Sequence, residues 1–385
     1  MNNPGQMSGH RKTAAAFALG VLTTLACGRR DASKSEIPIG EYSSMTGTTA
    51  TFGQSTDQAI RMAVDEINQA GGVLGKSIRL YLEDDQSRPE EAATAATKLI
   101  NQNHVVAMLG EVSSSRSLAA APICQANRVP MVSPSSTNPR VTRIGDYIFR
   151  VCFIDSFAGG VMAKFTARSL KLKRVAVLTD VRNDYSVGLH TYFREEFRKL
   201  GGEIVAEQSY SEGDSDFHAQ LTQIKSATPE AIYIPGYYTE VGTIARQARE
   251  LGIRVPLLGG DGWDSPKLWE IGGEALNGCY LANHYSVDDP SPAVQSFVAE
   301  YRRRYKAAPD ALAALGYDAA RILFDAMRRA GSTSPEKVRD ALARTKNFPG
   351  VTGAITLNAD RNPVKSAVVL KVENGKFVYV ETVNP

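Results

Sequence analysis

Hydroxyl side chains cluster in three short segments of the first half of this chain: Ser43-Ser44-Met45-Thr46-Gly47, Ser113-Ser114-Ser115 and Ser133-Pro134-Ser135-Ser136-Thr137-Asn138-Pro139. The second half carries segments of a different chemistry: Asp184-Tyr185, Gly236-Tyr237-Tyr238-Thr239-Glu240 and Gly260-Asp261-Gly262-Trp263. Hydroxyls and backbone N–H groups at helix N-termini suit an anion such as a carboxylate. A carboxylate beside aromatic faces suits a cation such as an ammonium. A zwitterion held between two such walls satisfies both. Ser, Thr, Asn and Gly also cap helices and close turns, which accounts for any one of these segments taken alone.

Each segment follows an apolar run that reads as a strand. Residues 37–39 open the first strand, and 43–53 reads as a polar loop. A helix over 56–70 follows from the spacing of Ala59, Ile60, Ala63, Val64 and Ile67, with Gly71-Gly72 as its stop. Strands at 78–82, 105–109 and 129–133 alternate with helices at 89–101 and 117–127. The rhythm restarts after residue 155, with helices at 157–170, 187–200, 217–226 and 241–251 between strands at 174–178, 203–206, 231–234 and 256–258. Two long helices, 292–306 and 311–330, precede short strands from 353 to the end. This alternation predicts an α/β protein of two doubly wound parallel sheets covered on both faces. In such sheets ligands lie outside the carboxyl ends of the strands, where all six polar segments fall.

A length of 385 residues agrees with two domains at roughly 150 residues each. Lys+Arg 44 against Asp+Glu 41 leaves a net charge of +3, too weak a field to make nucleic acid or an anionic membrane the main partner. Arg11 and Lys12 precede an uncharged, Ala- and Leu-rich stretch over 13–26, a charged n-region and an h-region too short for an ordinary span. Residues 1–26 therefore read as an export signal. Cys27 after Ala26 resembles a bacterial lipoprotein acylation site, although Thr24 stands where an aliphatic residue is usual. Simple cleavage after Ala26 is the alternative. The mature chain then has 42 basic and 41 acidic residues, and 27–36 reads as a polar tether. Cys124, Cys152 and Cys279 remain, an odd number expected as buried thiols.

The segments IPIGEYSSMTGTTATFG, AVDEINQAGGVLGKSIRLYLEDDQSRPEEA, GEVSSSRSLAAAPICQANRVPMVSPSSTNP, VLTDVRNDYSVGL and YYTEVGTIARQARELGI together resemble the periplasmic branched-chain amino acid binding proteins. These are type I solute-binding proteins of ABC importers, and the resemblance spans residues 36–385. It implies two lobes joined by a three-crossing hinge, 37–155 plus 286–363 and 156–285 plus 364–385. It further implies a monomer that clasps an amino acid or related solute between the lobes and delivers it to a membrane permease. Carried over by motif, Ser114 matches the serine that binds the ligand carboxylate, and Thr137 the threonine that contacts carboxylate and ammonium. Ser135 matches the residue whose main-chain carbonyl receives the ammonium, and Asp261 its acidic partner. Phe52, Tyr185, Tyr237 and Tyr317 match pocket-lining positions. Three departures stand out. The family's N-terminal disulfide is missing, its positions falling near Ser87 and Ser113. Arg116 replaces a small hydroxyl residue and is either structural, solvated or a contact for a second ligand carboxylate. Asp261 is one methylene shorter than the glutamate of some members.

Other signals carry less. The run Ala70-Gly71-Gly72-Val73-Leu74-Gly75-Lys76-Ser77 lacks the first glycine of a phosphate loop and lies between a helix and a strand, the reverse of that motif's setting. Five scattered histidines, no CxxC and no GxSxG elbow imply no metal, no cofactor and no nucleophilic catalysis. Arg302-Arg303-Arg304 reads as a solvated helix face. A non-enzymatic binding protein is the leading expectation. The alternative is a ligand-sensing clamp that signals through a separate receptor partner.

Overall fold

Ile37 and Ile39 are buried on β1 (Glu36–Ser43), the strand that opens the first sheet. The computed structural model describes residues 36–385; the expected export signal, Cys27 and the tether up to residue 35 lie outside the described residues. Glu36, assigned to the tether from sequence, is already paired with Ser77. In chain order the first sheet is built from β1, α1 (Ala50–Gln69), β2 (Ser77–Asp84), α2 (Pro89–Asn101), β3 (Ala107–Leu109), α3 (Ser114–Ala126), β4 (Met131–Ser133), α4 (Arg140–Arg143) and β5 (Ile148–Arg150). Its strand order is β2-β1-β3-β4-β5, parallel throughout.

The chain then builds a second layer system: α5 (Asp155–Lys164), β6 (Arg174–Asp180), α6 (Asp184–Lys199), β7 (Glu203–Tyr210), α7 (His218–Ser226), β8 (Ala231–Tyr233), α8 (Tyr238–Glu250), β9 (Leu257–Gly259), α9 (Pro266–Gly272) and β10 (Tyr280–Asn283). It returns to the first lobe with α10 (Pro292–Tyr305), α11 (Ala311–Ala330), α12 (Pro335–Ala343) and the hairpin β11 (Phe348–Gly350)–β12 (Gly353–Ile355). Leu315, Ala319 and Leu323 of α11 share one core with Ile37, Ile39 and Leu109. A third crossing delivers β13 (Ala367–Glu373) and β14 (Lys376–Val383) to the second sheet, where Val369 and Leu370 join the core of Val175 and Val177. That sheet runs β14-β13-β10-β9-β8-β6-β7. The parallel core of the sheet carries an antiparallel edge, because β13 is antiparallel to both β10 and β14. The β13–β14 pairing follows from the two-residue turn Asn374-Gly375, with φ of 49° and 75°, a tight connection that joins only antiparallel strands.

Helices that face the gap between the sheets begin earlier than their apolar spacing indicates. α1 starts at Ala50, α3 at Ser114, α6 at Asp184 and α8 at Tyr238. Their first turns lie over the cleft, so the apolar period begins only where the helix reaches its own sheet. In α1 this early start needs Gly53: a Cβ there would stand 2.1 Å from the carbonyl oxygen of Ser44. Cys124, Cys152 and Cys279 are free and buried as expected, and burial pushes the first two thiols up to about 12. No described helix is long and apolar enough to cross a membrane.

Candidate functional site

The carboxyl edges of the two sheets meet, and the early helix starts place the polar segments opposite one another. Phe52 stands in the first turn of α1, Ser114 is the first residue of α3, Tyr185 the second of α6, and Tyr237 immediately precedes α8. Ser135 and Thr137 follow β4, and Asp261 opens a 3₁₀ turn after β9. All seven side chains are buried. Phe52, Ser135, Tyr185, Tyr237 and Asp261, with Val112, Gly262 and Leu312, line one small cavity, nearly filled in this closed form.

The lobes are shut over this cavity. Tyr237 donates to Ser113 Oγ (3.0 Å), Ser135 Oγ reaches Asp261 Oδ2 (3.3 Å), and Asn138 Nδ2 donates to the carbonyl of Asp184 (2.8 Å). Thr48 Oγ1 donates to Glu212 Oε1 (2.7 Å) and its carbonyl accepts from Thr239 Oγ1 (2.7 Å). A ligand must therefore enter through an opened cleft, by the hinge motion that three crossing segments permit.

Aromatic rings form one wall. Tyr185 and Tyr237 stack with centroids 5.3 Å apart and planes at 19°, and Phe52 meets Tyr237 edge-on at 5.4 Å. Gly262 lets the rings close up, since a Cβ there would lie 2.8 Å from Tyr237 Cδ1 and 3.1 Å from Tyr185 Cε1. Burial, and for Tyr185 also the nearby Asp261, raises both phenols well above their ordinary value, so both are neutral donors. Charge and free hydroxyls supply the rest. Asp261 Oδ1 accepts from Tyr185 (2.9 Å), and Oδ2 lies 3.0 Å from His284 Nε2. Across the cavity, Ser114 Oγ accepts from the backbone of Asn138 (3.1 Å) and keeps its own proton to donate. Thr137 Oγ1 is buried without a close hydrogen bond; its nearest polar neighbour is the buried Asp155 carboxyl, whose pKa burial raises and this hydroxyl lowers. Both hydroxyls can thus meet an anion, and Asp261 a cation.

The family described as periplasmic binding proteins matches residues 36–376. This chain belongs to that family. It is 32% identical over 359 residues to the Leu/Ile/Val-binding protein BraC3 of Rhizobium johnstonii, covering 90% of this chain and 94% of that protein. The leucine-binding protein LivK of Thermotoga maritima superposes with a TM-score of 0.88 at 44% identity, over 91% of this chain and 99% of the other. LivJ of Streptococcus pneumoniae in complex with isoleucine gives 0.87 at 36%, over 91% and 100%.

For a periplasmic binding protein, two residues singled out from the sequence have places that only the fold decides. Tyr317 is corrected: it lies outside the cavity, on the flank of α11, where it donates to Glu66 Oε2 (2.6 Å) beneath the Arg321 guanidinium. Leu312, five residues earlier on α11, lines the cavity instead. Arg116 is enclosed and structural, its Nε 3.0 Å from Glu111 Oε2, with further bonds to the Ser87 carbonyl (3.2 Å) and Thr49 Oγ1 (2.8 Å). Glu111 also accepts the N–H of Ser113, so this ion pair ties together the loops that carry Ser87 and Ser113. Three residues escaped the sequence reading. Leu312 opens a long helix and looks like ordinary core. His284 follows β10, a strand of four residues too short to show a period. Asp155, at the start of α5, is buried beside the Thr137 hydroxyl, and burial pushes it up to about 8 against the pull of that hydroxyl. An acidic residue after β5 was its only signal.

Proposed function

We propose that this periplasmic binding protein captures a small α-amino acid between its lobes and delivers it to the permease of an ABC importer. The observation that carries the reading is the contrast between the lobes: the Asp261 carboxylate lines the closed cavity on one, and the buried hydroxyls of Ser114 and Thr137 belong to the other. In this reading Ser114 and Thr137 receive the ligand carboxylate. Asp261 and the main-chain carbonyl of Ser135 receive the ammonium, and closure replaces their water. Phe52, Val112, Tyr185, Tyr237 and Leu312 enclose an apolar side chain, in keeping with the aliphatic ligands named for the relatives above.

A thermal-shift screen over the amino acids, small amides and aromatic acids tests this, because a ligand at 100 times its Kd stabilises by about 2.7 kcal/mol. Aliphatic amino acids are expected to raise the midpoint. A response to aromatic acids lacking an amine, with none to amino acids, overturns the reading. Export with removal of 1–26, acylation of Cys27 and action as a monomer complete the proposal. Cys27→Ser is expected to move the protein from the membrane fraction to the aqueous one, and light scattering reads the monomer.

A further inference from the structure

Asp261 is held by three donors, and one of them has no part in the reading above. His284 begins the second crossing, immediately after β10. Its Nε2 lies 3.0 Å from Asp261 Oδ2, and its side chain is wholly shielded. The ring stacks on Phe153 of the first crossing, with centroids 3.7 Å apart and planes at 19°. Nδ1 is buried and meets no hydrogen-bond partner. A ring with one nitrogen on a carboxylate and the other against no acceptor is satisfied as the neutral Nε2–H form. The charged groups acting on it are Asp261, from the turn after β9, and Lys365, from the third crossing. Burial foremost, and the Lys365 cation, lower the His284 pKa against the pull of Asp261.

We propose that His284 is a positioning residue for ligand recognition: as a neutral Nε2–H donor it aims the Asp261 carboxylate at the cavity and leaves its full negative charge for a ligand ammonium. The inference rests on the reading of Asp261 as the ammonium partner. An imidazolium at 3.0 Å would spend that charge and repel the ligand; a neutral donor fixes the geometry without competing. Position supports the same role. β9 and β10 are neighbours in one sheet, so the His284–Asp261 bond lies within a single lobe and survives opening. The Ser135 contact to Asp261 comes from the other lobe and forms only on closure. His284 and Tyr185 thus hold the carboxylate ready in the open cleft, which lowers the ordering cost of binding.

Two variants separate this role from simple packing. His284→Gln keeps a donor and loses the stack on Phe153; His284→Phe keeps the stack and loses the donor. Isothermal titration with L-leucine as probe is expected to place the Gln variant within about threefold of the parent and the Phe variant at least tenfold weaker, both with near-parental unfolding midpoints. The reverse order overturns the proposal. A ligand-independent arm uses ¹⁵N-labelled imidazole spectra of the free protein at pH 7. The His284 ring is expected as the neutral Nε2–H form, with a signal that moves in Asp261→Asn. A doubly protonated ring, or a signal indifferent to Asp261→Asn, also overturns it. Failure of every α-amino acid to bind the parent overturns the ammonium reading instead, and the imidazole spectra then decide alone whether His284 holds Asp261 as a neutral donor.

Discussion

The phenol of Tyr237 donates to Ser113 Oγ across the cleft at 3.0 Å, so the residue preceding α8 touches the residue preceding α3. Each is the last extended residue before a helix that points at the cavity. Closure is thereby registered at the helix N-termini themselves, where backbone N–H groups are unpaired within the helix and available to an anion.

Tyr237→Phe removes this bond and keeps the ring stack on Tyr185. One neutral hydrogen bond is worth about 0.5–1.5 kcal/mol net, so affinity is expected to fall roughly threefold to tenfold. Small-angle scattering at saturating ligand should still report a closed particle. Unchanged affinity would show that the bond contributes nothing to closure.

Asp261→Ala removes the single carboxylate that lines the cavity. A desolvated charge pair is lost, and binding of an α-amino acid is expected to weaken by about 2 kcal/mol or more. Isothermal titration measures it. An unaltered Kd would move the ammonium site away from Asp261.

Arg116→Ala strands Glu111 as a buried charge, which costs about 3–5 kcal/mol. Urea unfolding should show the loss directly. Arg116→Met combined with Glu111→Leu removes both charges and is expected to recover most of it. A double variant as unstable as the single one would mean that the loops need the hydrogen bonds to Ser87 and Thr49, with the charge pair secondary.

Asp155 gives a pH signature. Its carboxyl is raised from 3.8 to about 8 by burial, so the folded state holds a proton that the unfolded chain releases. The stabilisation is complete below about pH 4 and is lost as pH rises towards 8. Asp155→Asn is expected to lie nearest the parental urea midpoint at about pH 4, and to gain on the parent steadily as pH rises to about 8.5, by on the order of 4 kcal/mol. Parallel pH profiles for parent and variant would rule the assignment out.

Legibility in the sequence followed the physics of each element. Helix α2 was readable residue for residue, because Pro89 sets its first turn and its alanines face the sheet. Strands β5 and β10 were not, since runs of three or four residues carry no period. The β13–β14 hairpin had a local signal, Asn374-Gly375, that outranks the parallel pattern of the preceding chain. Tyr317 and Leu312 illustrate the limit at the site. They lie five residues apart on α11 and so face different directions on the helix, and motif position alone could not say which one points inward.

Residue types and their order were sufficient for the α/β class, two lobes, the family and the loops of the proposed site, because helical period, strand spacing and cap chemistry are local. Partnership was settled only by the tertiary structure. Arg116 could have been solvated, a ligand contact or structural until folding set Glu111, Ser87 and Thr49 around it. His284 was one of five scattered histidines until β9 and β10 became neighbours and brought it to Asp261. The energies of buried charges and donors depend on which groups share a water-free space, and chain order does not contain that information.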